Sequence, residues 1–197
     1  MRFLWPSGGD MPDGFAGVLT TPATYGIPEG VQAGHPWAAD NQAFTQGFNP
    51  DTFFPWLEDM IPFRSLCLFV PVPDVVGDAV QTLDNWRRWV RIFEGWPLAF
   101  VAQDGQEDLP MPPDYDVLFI GGSTEWKESG AAVDCIKRAE GRLVHIGRIN
   151  NWRRYRHFAR MPGAENWTCD GTRIRYERDK ATRDWQRYMA QPPLITI

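Results

Sequence analysis

Eight short apolar runs, each ending in a polar or glycine-rich step, constrain this chain more than any other feature. They fall at about 2–5, 16–20, 36–40, 66–70, 98–102, 117–121, 143–147 and 167–170. Leu68-Phe69-Val70 leads to Pro73-Asp74-Val75-Val76-Gly77-Asp78, and Ala99-Phe100-Val101-Ala102 to Gln103-Asp104-Gly105. Val117-Leu118-Phe119-Ile120 precedes Gly121-Gly122-Ser123, Leu143-Val144-His145-Ile146 precedes Gly147-Arg148, and Trp167-Thr168-Cys169 precedes Asp170-Gly171-Thr172. A continuous apolar run of this length suits a strand covered on both faces, as in a parallel sheet wrapped by helices. In a βα barrel the C-terminal strand ends form the rim on which the active site is built.

Helical patterns fill the later gaps. Asp51 to Ile61 follows Asn49-Pro50, which reads as N-cap and first turn. Asp78 to Glu94 places Ala79, Val80, Leu83, Trp86, Trp89, Val90 and Phe93 at helical spacing, and Gly95 ends it. Thr124 to Glu140 ends at Gly141, Asn150 to Met161 stops at Pro162-Gly163, and Arg178 to Met189 reads as a closing helix. Strand–helix alternation at this rhythm is a parallel α/β fold. Eight strands with no nucleotide fingerprint after the first predict a compact TIM-like (β/α)8 barrel, one domain over residues 1–197. At 197 residues the chain is short for a fold that typically takes about 250. The helices between the first three strands must therefore be reduced or missing. An incomplete barrel, or a homodimer covering the thin side, would each be consistent with that length.

Composition narrows the class. Hydrophobic residues make up 43% of the chain and ten are Trp, which favours a packed body over disorder. No apolar run reaches the roughly 18 residues of a membrane span, and Met1 to Pro6 lacks a signal-peptide pattern. A cytoplasmic protein without membrane association is expected. Cys67, Cys135 and Cys169 form no CxxC, and no HxxxH is present. We expect buried thiols rather than disulfides or a zinc site, and no metal or cofactor. The net charge of −5 is unevenly spread. Residues 1–141 carry 8 basic and 20 acidic side chains, whereas residues 142–197 carry 12 basic and 5 acidic ones. A basic C-terminal third on an acidic body suits either a local polyanion contact or solvated helix faces.

The strand ends carry the candidate chemistry. Asp40, beside Asn41 and just before Phe44, is either a general base or a solvated rim carboxylate. Asp170, with Gly171 permitting close ligand approach, would face it across a barrel mouth. Two opposed carboxylates are the minimum equipment for glycosyl transfer, one attacking the anomeric carbon and one moving protons. Asp74 is placed to accept hydrogen bonds from the N–H edge of a purine-like base, while Asp78 reads better as a helix N-cap. Gln103 can donate to and accept from a heterocycle. Gly121 and Gly122 offer backbone N–H groups free of side chains to a flat ring or an anion. His145 reads equally as an interior histidine or a site residue, and Arg148 suits phosphate. Arg153, Arg154 and Arg156 alternate with Trp152, Tyr155 and His157, and Arg173 and Arg175 follow Asp170. Guanidinium groups among aromatics suit a nucleic-acid strand, or simply a surface helix.

Taken in order from about residue 36 to 175, these motifs resemble the tRNA-guanine transglycosylase superfamily, and within it the short phage-type DpdA enzymes that insert 7-deazaguanine bases into DNA. Ala39-Asp40-Asn41-Gln42-Ala43-Phe44 stands where the family has an Asp-Ser-Gly-Gly-Phe type segment. Val101-Ala102-Gln103-Asp104-Gly105 is similar to its Val-Gln-Gly-Gly segment. The resemblance implies Asp170 as nucleophile and Asp40 as general base, with Asn41, Asp74, Gln103, Gly121 and Gly122 around the base. It further implies DNA and a base such as preQ0 as partners, and a host-cytoplasm location. The family's zinc-binding cysteine cluster has no counterpart here, which favours DNA over tRNA. Two other readings share the residues. A nucleoside or nucleotide glycosidase would use both aspartates with water as acceptor and need no arginine cluster. An inactive nucleic-acid-binding barrel would keep the two carboxylates apart.

Overall fold

A computed structural model describes residues 1–7, 11–24, 26–171, 173 and 177–190. Eight parallel strands close into a barrel in chain order, β1 through β8. The strands are β1 (Arg2–Pro6), β2 (Gly17–Thr20), β3 (Trp37–Ala39), β4 (Cys67–Pro71), β5 (Leu98–Ala102), β6 (Val117–Ile120), β7 (Leu143–Ile146) and β8 (Thr168–Cys169). Each coincides with one of the apolar runs. The barrel is complete rather than open: β8 pairs β1 through Arg2 with Thr168 and Phe3 with Cys169.

Alternation along each strand builds two cores. Leu4, Leu19, Ala38, Phe69, Ala99 and Val117 point inward and fill the barrel, with Phe119 and Leu143 against them. Their neighbours Phe3, Trp5, Val18, Trp37, Val70, Phe100, Leu118, Val144 and Ile146 face outward under the helices. That double burial explains why the strands read as continuous apolar runs rather than alternating ones.

The helical layer is thin on one side, as the chain length requires. Among the described residues no helix joins β1 to β2, and a single turn, α1 (Glu29–Gln32), joins β2 to β3. The layer is fuller afterwards. In α2 (Pro50–Asp59) the Asn49 side chain caps the Asp51 N–H at 3.0 Å. In α3 (Ala79–Trp89) Asp78 is the N-cap, accepting from the Gln81 N–H at 2.9 Å. A 3₁₀ segment, Val90–Phe93, continues it. The expected helix from Thr124 to Glu140 is instead two, α4 (Thr124–Lys127) and α5 (Gly130–Lys137). Ser123 caps the first by accepting from the Trp126 N–H, and Ser129 caps the second by accepting from the Ala131 N–H. A serine that bonds the backbone competes with helix continuation, and Gly130 beside it adds backbone freedom. Two further helices, α6 (Trp152–Ala159) and α7 (Arg178–Met189), complete the layer. The Trp185 ring of α7 stacks on Phe3 of β1 with centroids 4.5 Å apart. Cys135 and Cys169 are buried, Cys67 is half-buried, and all three are free thiols. None of the described helices is long and apolar enough to cross a membrane.

Trp37 anchors the thin side. It is fully buried, meets Trp56 and Trp96 edge-on, and donates its indole N–H to the Phe63 carbonyl at 2.9 Å. Trp37→Ala should cost about 3–5 kcal/mol, read as a lower urea midpoint with an unchanged slope. A loss below about 1 kcal/mol would mean that the thin side repacks freely.

Candidate active site

The C-terminal strand ends enclose one cavity of about 130 Å³. Asp40 enters from the end of β3, Asp74 from beyond β4, Gln103 from β5, Gly121 and Gly122 from β6, Arg148 from β7 and Asp170 from β8. Leu4, Pro6 and Leu19 make an apolar floor between the two outer aspartates. The side chains expected to act on an anomeric carbon and those expected to hold a base therefore share one chamber. Phe44, on the loop after β3 and 60% exposed, forms part of its wall.

Gln103 ties together the side of the cavity formed by the ends of β4, β5 and β6. Its Nε2 donates to Asp74 Oδ2 at 2.6 Å. Its Oε1 accepts from the Gly77 N–H at 2.9 Å and the Gly122 N–H at 2.8 Å. Both lone pairs of that oxygen are engaged, so what Gln103 can still offer a ligand is its second amide hydrogen. Asn41 Nδ2 donates to the other Asp74 oxygen at 2.9 Å. Burial pushes the Asp74 carboxyl up, the nearby Asp40 adds to the rise, and the Asn41 and Gln103 hydrogen bonds oppose it.

The Gly-Gly step works differently from the sequence expectation. The Gly121 N–H donates to the Ala102 carbonyl, the Gly122 N–H to Gln103, and the Ser123 N–H to Asp104 Oδ2. These N–H groups are thus spent inside the protein and do not point at a ligand. The glycines are needed for space. A Cβ on Gly121 would lie 2.6 Å from Gln103 Nε2, and one on Gly122, at φ +61°, would run into Trp126.

Asp170 sits in an electropositive cradle. Its Oδ1 accepts the Arg148 backbone N–H at 2.6 Å, and His145 Nε2 lies 3.6 Å away, beyond hydrogen-bond length but within charge range. His145 is fully buried inside the barrel, bonded to the Thr168 hydroxyl at 2.8 Å and packed against Phe69 and Phe119. Lys127, also fully buried, donates its ammonium to the Gly147 carbonyl at 2.8 Å. Burial works against ionisation of Asp170, but His145, the Arg148 N–H and Lys127 outweigh it and hold the carboxyl below the ordinary range. Asp40 accepts the Gln42 N–H at 2.9 Å, an Asx turn that fixes its carboxylate at the cavity edge.

Among the described residues the predicted arginines do not assemble into one open basic surface. Arg148 turns into the cavity, its guanidinium 4.1 Å above the Phe44 ring and bonded to the Gly122 carbonyl. Arg154 pairs with Glu128 at 2.8 Å, and Arg173 pairs with Glu177 and Asp184 at 3.0 and 3.2 Å. Arg156 lies by Trp152 in a groove that includes Met1 and Arg2, at the opposite end of the barrel. Arg153 is exposed in the first turn of α6. Arg175 lies outside the described residues. The alternation of Arg with aromatics follows from α6 itself, whose buried Tyr155 and Phe158 face the barrel while Arg153 and His157 are exposed.

The sequence leaves His145 open between an interior histidine and a site residue, and gives no role to Lys127 or Phe44. His145 leaves a trace there as a histidine flanked by apolar residues inside the run Leu143-Val144-His145-Ile146. Lys127 leaves none, because a lysine in a first helical turn reads as surface. The Asp170 environment has a measurable consequence. A depressed carboxyl contributes stability that is present above the free-aspartate value of about 3.9 and lost as pH falls through the lower folded value. Asp170→Asn should therefore cost about 1–3 kcal/mol at pH 7, with the gap to the wild type closing as urea melts are repeated towards pH 3. A gap that widens in acid would contradict this electrostatic account. No protein-family model, curated protein or solved structure matches the chain.

Proposed function

We propose that the protein is a guanine transglycosylase that replaces a guanine in DNA with a 7-deazaguanine base of the preQ0 type. The observation that carries this reading is the single cavity shared by Asp40, Asp170 and the linked Asp74–Gln103 pair. A nucleophile, a proton carrier and a planar polar edge within one chamber are the parts that base exchange needs.

Each step balances. The Asp170 carboxylate attacks C1′ of the target nucleotide, the C1′–N9 bond breaks, and its electron pair leaves with guanine. Asp40, entering protonated, gives its proton to the departing base. The glycosyl ester on Asp170 persists while guanine leaves and the deazaguanine enters. Asp40, now a carboxylate, takes the N9 proton of the incoming base. N9 then attacks C1′, the C1′–O bond breaks, and the Asp170 carboxylate is restored. The cradle around Asp170 favours its anionic form, which suits both nucleophile and leaving group. The Asp74 carboxylate accepts from the N1–H and 2-amino edge of either base, and the remaining Gln103 amide hydrogen suits O6. A guanine must leave its stack to reach this chamber, which costs a few kcal/mol in duplex DNA and less in single strands.

A second reading has its own observation. Arg154 and Arg173 are already paired with carboxylates and Arg156 lies at the far end, so the basic grip expected for a polymer is not gathered at the mouth. That favours a glycosidase on small nucleosides or nucleotides, with water in place of the second base.

The deciding experiment incubates the protein with DNA or tRNA and labelled preQ0 or guanine, then digests and resolves the nucleosides. Label in DNA is expected, and Asp170→Asn should abolish it while nucleic-acid binding persists. Label only in tRNA would overturn the choice of polymer. Free base released from nucleosides, with no label in either polymer, would establish the glycosidase instead.

A further inference from the structure

The cavity accounts for Asp170 but leaves unexplained the most costly group beside it. Lys127 is a lysine with no exposure, one turn into α4, held in a protein interior that penalises its charge. A buried ammonium with no purpose would be readily replaced by an apolar side chain. Its bonding partner suggests the purpose. Lys127 Nζ donates to the carbonyl of Gly147 at 2.8 Å, and the N–H of the same peptide group, that of Arg148, donates to Asp170 Oδ1 at 2.6 Å. One peptide unit thus stands between a cation and the proposed nucleophile, accepting at its oxygen and donating at its nitrogen.

We infer that Lys127 is a positioning residue that acts on Asp170 through the Gly147–Arg148 peptide. A cation at the carbonyl oxygen draws electron density from the amide, making the N–H a stronger donor to the carboxylate. Hydrogen bonds in a chain polarise one another in this way, more so where water is excluded. The geometry is fixed from both sides. A Cβ on Gly147 would lie 2.6 Å from the Phe119 ring, so that position has no room for a side chain. Arg148 takes φ +61°, a left-handed conformation unusual for a non-glycine residue. Its N–H is thereby held on Asp170, while Arg154 secures the next carbonyl, that of Arg148, at 3.1 Å. A left-handed arginine is strain that the surrounding contacts must outweigh, as is common at sites where a backbone group has a task.

The charges around Lys127 are mixed. Burial lowers its affinity for a proton, Arg148 and Arg154 lower it further, and Asp170 and Asp104 raise it, leaving the amine at about 7. His145 faces the same Asp170 carboxylate from inside the barrel. The relay is therefore strongest below neutrality and weakens as pH rises through that value.

The catalytic consequence rests on the transglycosylase reading; the relay itself does not. The test follows the Arg148 amide resonance and the Asp170 carboxyl carbon by NMR in the wild type, Lys127→Met and Lys127→Arg. In Lys127→Met the Arg148 amide proton should move upfield and Asp170 should titrate at higher pH than in the wild type, while Lys127→Arg, which keeps the cation, should restore both. In the exchange assay Lys127→Met should slow the step in which the Asp170 carboxylate leaves C1′, lowering kcat by up to about tenfold per pKa unit gained by that leaving carboxyl, with KM for the base little altered. Unmoved signals in Lys127→Met would overturn the relay. Should that variant fail to fold, Lys127→Gln takes its place: the same two shifts support the relay, and their absence overturns it. A wild type without exchange activity would sink the transglycosylase reading and leave the NMR result to judge the relay.

Discussion

The whole mouth hangs on a strand of two residues. β8 consists of Thr168 and Cys169 alone, and it must pair β7 on one side and β1 on the other for the barrel to close. Beyond that pairing, contacts at its ends and on its inner face hold it. The Arg2 N–H reaches the Trp167 carbonyl at 2.9 Å, the Thr168 hydroxyl bonds His145, and the Ile149 N–H bonds the Asp170 carbonyl at 2.6 Å. Asp170 is the next residue along, so the position of its carboxylate is set by barrel closure rather than by a long rigid element. Gly171 lets the chain leave at once, since a Cβ there would collide with the Ile149 carbonyl.

Charge is handled in two ways within one chamber. The Asp74 carboxyl is pushed up, because burial and Asp40 outweigh the hydrogen bonds from Asn41 and Gln103. Asp170 is anionic-leaning, because cations and a backbone N–H surround it. Carboxylates in one cavity whose environments push them in opposite directions can take different chemical roles at a single pH. Gln103 makes the arrangement stiff: its one amide links the ends of β4, β5 and β6.

All eight strands were legible in the sequence because two-sided burial leaves an uninterrupted apolar signature. The caps at Asn49 and Asp78 were legible because their chemistry is local. The break between α4 and α5 was not: Ser129, inside a helical stretch, only caps if the chain turns there, and tertiary packing decides that. The strand ends pointed to Asp40, Asp74, Gln103 and Asp170 because position on the rim is a consequence of fold alone. Lys127 was hidden because its significance lies in which carbonyl it meets, twenty residues away. The arginine run was misleading in the opposite sense, since one helix of alternating cations distributes them along the barrel wall, and sequence shows neither Glu128 as the partner of Arg154 nor Asp184 as that of Arg173.

The seam between β1 and β8 joins the third residue of the chain to the hundred-and-sixty-ninth, and α7 then lays Trp185 over Phe3 to cover it. Contacts of such separation reward the chain only after the intervening loop has been closed, which slows folding. A ribosome-bound chain lacking β8 would have seven strands with two open edges and no Asp170. The cavity is complete only once β8 has paired with both neighbours, so closing the seam and bringing Asp170 to the mouth are the same step.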